Sequence, residues 1–380
     1  MVLLPPRHDG VPAKMHEPPG PYELGGLGAC RGESLKEPIL ATAQASAKIN
    51  QTHSVWRNWR HVVVAGGLLV WFGSMALRTG AGAFVAMWNV LLFLGALVVV
   101  TIPTRTVSVM ELLGPFSLGG SMVGLSVLAG WAFEMASGTR ISQARALIIP
   151  LVEETVKIAP VLLILWRQRY RRAWTFGATD IILLAAASGS AFYWMEEAFI
   201  IHNRHSWSFV GSFPTTDIES NFVANHAIWT AISGLTIGVS NLLLGPGRRT
   251  MPIAASGWLW SALDHAANNY NVHFRGAISN IFRAVTMNGR LSLYIFLAGI
   301  CFALTLDLYF AYLVPGERTP AQPMTFPVSW DQASPWFRYL RLRLQFAYAS
   351  ARYRAASGKI KERLAALVSS LGSSLRSGHW

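Results

Sequence analysis

The sequence predicts an all-α fold, a polytopic integral membrane bundle of about eight transmembrane helices. Three observations predict it. Apolar runs of roughly 20 residues, the length that crosses a hydrocarbon core, recur along the chain. Hydrophobic residues make up 52% of the 380, charged residues only 13%, and the mean hydropathy is +0.35, which argues against a pair of soluble domains. Fifteen tryptophans supply the aromatic belts found at membrane interfaces.

Taken in order, residues 1–55 are rich in Pro and Gly and lack apolar periodicity, so they read as a disordered cytoplasmic tail. Leu27-Gly28-Ala29-Cys30 has the outline of a lipoprotein cleavage box. Glu17, Glu23 and several prolines stand where the apolar run should be, so neither a signal peptide nor lipidation is expected. Apolar helices are expected at 61–78, 83–103, 112–134, 146–166, 179–201, 222–244, 251–270 and 291–314, so that residues 56–315 form the bundle. The first of these helices is expected to serve as the uncleaved insertion signal. Cys30 and Cys301 are remote from one another, which leaves no disulfide framework and no CxxC metal site.

Residues 316–380 form a basic tail. Ser334-Pro335 predicts a helix start, Ser as cap and Pro at the first position. The stretch from Trp336 to Leu344 that follows is basic and amphipathic. It suits a helix lying in the interface on anionic lipid; a helix docked on the bundle is the alternative. The formal charge of +13 raises the question of nucleic acid, but the basic residues sit in this tail and in short inter-helix loops, where a membrane surface accounts for them. Arg167, Arg169, Arg171, Arg172, Arg248 and Arg249 orient the chain with both termini cytoplasmic, in what reads as a bacterial cytoplasmic membrane. The segment 271–290, with Arg275, Arg283 and Arg290, runs against that rule and reads as interfacial or re-entrant.

Four polar clusters interrupt the apolar helices: Glu153-Glu154-x2-Lys157, Phe192-x3-Glu196-Glu197, Asn225-His226, and Asp264-His265-x3-Asn269. Ionisable groups at membrane depth cost several kcal/mol on insertion scales and are functional candidates by default. With the orientation above, all four lie roughly 6–11 Å below the outer face, on four different helices. They therefore should line one water-accessible cavity. Glu153 and Glu154 each lie within one helical turn of Lys157, and adjacent glutamates point about 100° apart. One can face reacting water while the other holds Lys157; a structural ion pair is the plain alternative. Glu196 is a candidate second carboxylate, or else an interhelical hydrogen-bond partner. His226 is level with the glutamates, although a lone histidine near a helix end often only faces the interface. His265 and Asn269 share a face and suit two donors aimed at one oxygen. Asp264 lies on a neighbouring face, either orienting a histidine or wetting the helix end. Pro150 and Pro160 bracket the glutamates and could open the helix locally. There is no HExxH, yet two histidines and a glutamate from different helices could hold zinc.

The order Glu-Glu-x2-Lys, Phe-x3-Glu, single His, His-x3-Asn over residues 146–270 resembles the PrsW family of intramembrane proteases, relatives of the CAAX prenyl proteases. Gly189-x2-Phe192-x3-Glu196 and His226-Ala-Ile-Trp-Thr230 add to the likeness, and Glu197 departs from it where many members carry Asn. The resemblance implies a glutamate-based peptidase that needs no metal. In that reading Glu153 activates water, Glu154 assists, Lys157 tunes both, Glu196 holds or polarises the water, His226 is catalytic or orients substrate, and His265 with Asn269 contacts the oxyanion. It further implies a single-pass membrane substrate, of the anti-sigma-factor kind, cut near the extracytoplasmic face. The rivals are a zinc-dependent protease using His226 and His265 with a glutamate, and a proton-coupled transporter. Polar residues gathered at one depth favour a site over a conduction path.

Overall fold

The computed structural model describes residues 81–138, 142–168, 175–198, 224–245, 250–313, 330–355 and 358–377; the predicted helix 61–78 and the N-terminal tail lie outside them. Regular structure among the described residues is helical throughout. In chain order the helices are α1 (Ala81–Val100), α2 (Val109–Ser121), α3 (Val123–Ser137), α4 (Gln143–Gln168), α5 (Ala178–Glu196), α6 (His226–Leu244), α7 (Met251–His273), α8 (Ala277–Thr286), α9 (Arg290–Leu308), α10 (Trp330–Ala355) and α11 (Gly358–Ser377). Among the described residues, four helical stretches are long and apolar enough to cross a membrane: Val109–Ser137, Ala178–Glu196, His226–Leu244 and Ala277–Ala311. The chain is an all-α membrane helix bundle.

Helix α5 is its axis. Every residue from Ala178 to Trp194 is buried, because α5 packs against α2 on one side and α6 on the other, with α1, α4 and α9 around it. The run Ala185-Ala-Ala-Ser-Gly-Ser-Ala191 permits this. A Cβ on Gly189 would lie 2.4 Å from the His226 carbonyl oxygen, and one on Gly119 of α2 would lie 2.3 Å from the Ser188 carbonyl oxygen. Small residues let helix backbones approach where lipid offers no hydrophobic drive.

Several boundaries differ from expectation for local reasons. The predicted helix 112–134 starts at Ser108, where the Ser108 backbone N–H and hydroxyl both donate to Glu111 Oε2 (2.7 and 2.9 Å). It turns at Met122 and ends at Gly138, whose left-handed φ of 67° stops α3. Helix α4 runs unbroken through Pro150 and Pro160, each of which removes only one donor, so the prolines do not open it. Helix α7 continues to His273, and residues 277–286 of the anomalous segment form the short helix α8.

The tail helix starts at Trp330, four residues before the predicted cap, which leaves Pro335 inside the second turn, where one missing donor is tolerated. Helix α10 is docked on the bundle. Leu340, Leu344 and Tyr348 join the hydrophobic core, and Arg352 is fully buried. Tyr348 Oη donates to the Thr104 carbonyl (2.9 Å), Arg352 Nη2 to the Phe176 carbonyl (2.6 Å), and Arg341 Nη2 to Glu111 (2.9 Å). These contacts surround the start of α5, whose first turn is capped by two carboxylates. Asp180 accepts from the Gly177, Thr106 and Val107 backbone N–H groups, and Asp307 of α9 from those of Ala178 and Thr179. Burial pushes the Arg352 guanidinium down to about 10, with Asp307 and Asp180 pulling the other way, so it remains charged at neutral pH.

Candidate active site

At the other end of α5, about 24 Å away along the helix, the four polar clusters meet. Helix α4 supplies Glu153, Glu154 and Lys157, all buried on the side facing α5, α6 and α7. Glu196 ends α5, and Glu197 is buried in the π-helical turn after it. His226 opens α6 just after Asn225, whose Oδ1 caps the helix by accepting from the Ala227 N–H (3.0 Å). Asp264, His265 and Asn269 lie near the end of α7, the first two buried.

The adjacent glutamates do different jobs. Glu154 Oε1 receives Lys157 Nζ in a close ion pair and His265 Nδ1 at 2.9 Å. Glu153 Oε1 receives the Ser126 hydroxyl of α3 at 2.8 Å, and its Oε2 faces His265 Nε2 at 3.4 Å. Lys157 Nζ also lies 2.6 Å from His226 Nδ1, and 4.9 Å from the centroid of the Phe192 ring, a cation–π contact. His226 Nε2 in turn pairs closely with Glu196 Oε2.

These contacts assign protons. An ammonium only donates, so His226 Nδ1 accepts from Lys157 and the ring proton sits on Nε2, against Glu196. A carboxylate only accepts, so His265 donates from Nδ1 to Glu154. In a neutral ring that leaves His265 Nε2 as an acceptor looking at Glu153 Oε2, itself an acceptor when ionised. Glu153 Oε2 and Glu154 Oε2 are both buried without a hydrogen-bond partner, and of the two glutamates it is Glu153 that lines a cavity. Two facing acceptors in low dielectric repel unless a proton or a cation lies between them.

Residues outside the predicted set hold these groups in place. The Trp229 indole stacks on His265 (4.4 Å between centroids, 16° between planes), and its Nε1 donates to Asp264 Oδ2 at 2.7 Å. The Ser292 hydroxyl of α9 donates to the same oxygen. Asp264 thus acts on His265 through Trp229. Ser126 and Ser292 had no signal in sequence, being two of many small residues in apolar helices; Trp229 stood one turn from His226 and was visible only as part of that motif. Glu153 and Asn269 line a cavity of about 500 Å³ between α4 and α7, reached past Ser142, Arg145 and His273.

Carboxylates and imidazoles gathered behind a cavity wall that Glu153 reaches, inside an apolar bundle, fit a class, hydrolases that work within the membrane. A sequence model described as PrsW family intramembrane metalloprotease matches residues 83–305, more than half of the chain, and the chain belongs to that family. It is therefore a peptidase and a membrane protein. No curated protein and no solved structure matches it.

The family description implies a metal ion, and the donor set can be tested for one. Glu153, His226 and His265 each place a ligand atom within 4.8 Å of the other two, the two-histidine, one-glutamate set of catalytic zinc sites. The contact from His265 Nδ1 to Glu154 is the outer-sphere carboxylate that metal-bound histidines carry. The residues fit a divalent cation. Lys157 sets a condition: binding through His226 Nε2 requires the ring proton to move to Nδ1, where Lys157 now donates.

Proposed function

We propose that this peptidase cuts a single-pass membrane protein, of the anti-sigma-factor kind, near the extracytoplasmic face, with Glu153 as the base that activates water. The unpartnered Glu153 Oε2, on the cavity wall and opposite the acceptor nitrogen of His265, carries the reading. Water adds to the scissile carbonyl carbon and its proton passes to Glu153 Oε2. The carbonyl oxygen, now an oxyanion, is met by the side-chain amide of Asn269, which faces the same cavity. The C–N bond then breaks, and Glu153 returns the proton to the leaving amine. Glu154 keeps His265 oriented, and His226 is held between Lys157 and Glu196. With Nδ1 donating to Glu154, His265 joins Asn269 as an oxyanion donor in this reading only when its ring carries a second proton on Nε2.

A second reading follows from the donor set. Glu153, His226 and His265 would hold a divalent ion, which when bound polarises the carbonyl and acidifies its water. Reconstituted protein incubated with single-pass substrates separates the two. Under the glutamate reading Glu153→Gln abolishes cleavage, and wild-type activity survives a chelator. Activity lost to the chelator and restored by zinc would replace it with the metal reading. Full activity in a folded Glu153→Gln variant would end both.

The orientation is also proposed, with both termini cytoplasmic and anionic lipid against the basic tail. A single cysteine at Arg275, an exposed position just past α7, in a background lacking Cys30 and Cys301, should react with an impermeant thiol reagent added outside intact cells. Labelling only after lysis would reverse the orientation.

A further inference from the structure

The cavity is a groove with a direction. Ser142, Arg145, Ile149 and Glu153 recur along α4 every three or four positions, so they form one stripe from the start of the helix to the site. On α7, Asn269 and His273 extend the row begun by His265. The inner end holds Glu153 and Asn269, the middle is apolar at Ile149, and the mouth holds Ser142, Arg145 and His273. Among the described residues of the lining, Glu153 is the only acidic one, and the ionisable groups at the mouth are both basic types.

Arg145 is placed there by its surroundings. Its backbone N–H donates to Ser142 Oγ (3.1 Å), which fixes the first turn of α4. Its guanidinium lies over Gly130 of α3, where a Cβ would come within 3.2 Å of Nη2. Nη1 is 3.5 Å from Glu134 Oε2, and the two side chains are 29% and 38% exposed, a loose surface pair. A guanidinium is a fixed positive charge with a planar fork of five donors, the geometry that recognises a carboxylate.

Resting on the peptidase reading above, we propose that this groove binds the substrate as an extended strand, and that Arg145, with His273, selects an acidic side chain three or four residues from the scissile bond. Arg145 is eight residues before Glu153, about 12 Å of helix rise. An extended peptide covers that distance in three to four residues at about 3.3 Å each. The acidic residue lies on the side of the bond that leaves through the mouth, at the start of α4.

The test uses the full chain reconstituted in lipid with a library of single-pass peptides whose membrane-flanking positions are randomised among Asp, Asn, Lys and Ala. Cleavage sites are read by mass spectrometry against the Glu153→Gln variant as blank. Asp should be enriched at least about tenfold over Asn and Lys at the third or fourth position on one side of the bond, as a charge-assisted pair implies. Arg145→Glu should turn that preference toward Lys, and Glu134→Gln should sharpen the preference for Asp. Should Arg145→Glu not fold, Arg145→Gln serves in its place and should flatten the preference. Glu153-dependent cleavage with no acidic preference at those positions, or a preference unchanged in the Arg145 variants, overturns the proposal and leaves the peptidase reading standing. Absence of any Glu153-dependent cleavage overturns both.

Discussion

Glu153 and Glu154 are neighbours in sequence and opposites in surroundings. The first meets one hydroxyl and the cavity; the second receives both Lys157 and His265 on its Oε1. Their variants should therefore differ in kind. Glu154→Gln should keep the groove but loosen His265, lowering kcat by about 10–100-fold, as a misplacement of about 1 Å in a positioned group can. Lys157→Met leaves the Glu154 charge buried without its ammonium, so thermal unfolding in detergent should report a loss of about 3–5 kcal/mol. An unchanged melting temperature for Lys157→Met would show that the pair does not hold the helices together. At this scale the sequence was readable in part. Spacing showed that one glutamate could pair with Lys157 while the other faced water, because α-helical geometry alone separates adjacent side chains. It could not say which, since that depends on where Ser126 and His265 stand.

Helix α5 explains how four clusters reach one place. Its small residues bring α2 and α6 to backbone contact, so Glu196 at its end meets His226 at the start of α6. Gly189→Val would drive a side chain into the His226 carbonyl, displacing the residue that bridges Lys157 and Glu196. Cleavage should fall by at least about tenfold, since a misplacement of about 1 Å can cost a hundredfold. Gly95→Ala on α1, whose new methyl meets nothing within 4 Å, is the matched control and should be neutral or slightly stabilising. Equal behaviour of the two variants in a cleavage assay would refute the close-packing account. Helix existence was legible here from apolar runs alone. Helix ends were not, because Gly138, Asn225 and the Ser108–Glu111 cap act locally within apolar stretches that read as continuous.

Across the whole molecule, the two ends of α5 carry two polar assemblies with different fates. At its end the groups gather beside a cavity that Glu153 and Asn269 line. At its start Asp180, Asp307 and Arg352 are enclosed by α9, α10 and the 101–108 turn, where their hydrogen bonds cap the helix and tether the tail. Arg352→Met should unlatch α10, lowering the melting temperature and making the tail accessible to limited proteolysis, at a cost of about 3 kcal/mol for a buried charge cluster that loses one of its cations. A tail as protease-resistant as wild type would refute that role.

Composition and periodicity by themselves determined the all-α membrane class, because lipid admits little else, and the motif order pointed to peptide hydrolysis. The four polar clusters stood out because charge is costly among apolar residues. Only the tertiary structure decided their pairings: which glutamate faces the cavity, that Asp264 serves through Trp229, and that α10 docks on the bundle. Each of those depends on contacts between helices far apart in sequence, and the local helical period, which is all a single sequence displays, carries no information about which helix lies next to which.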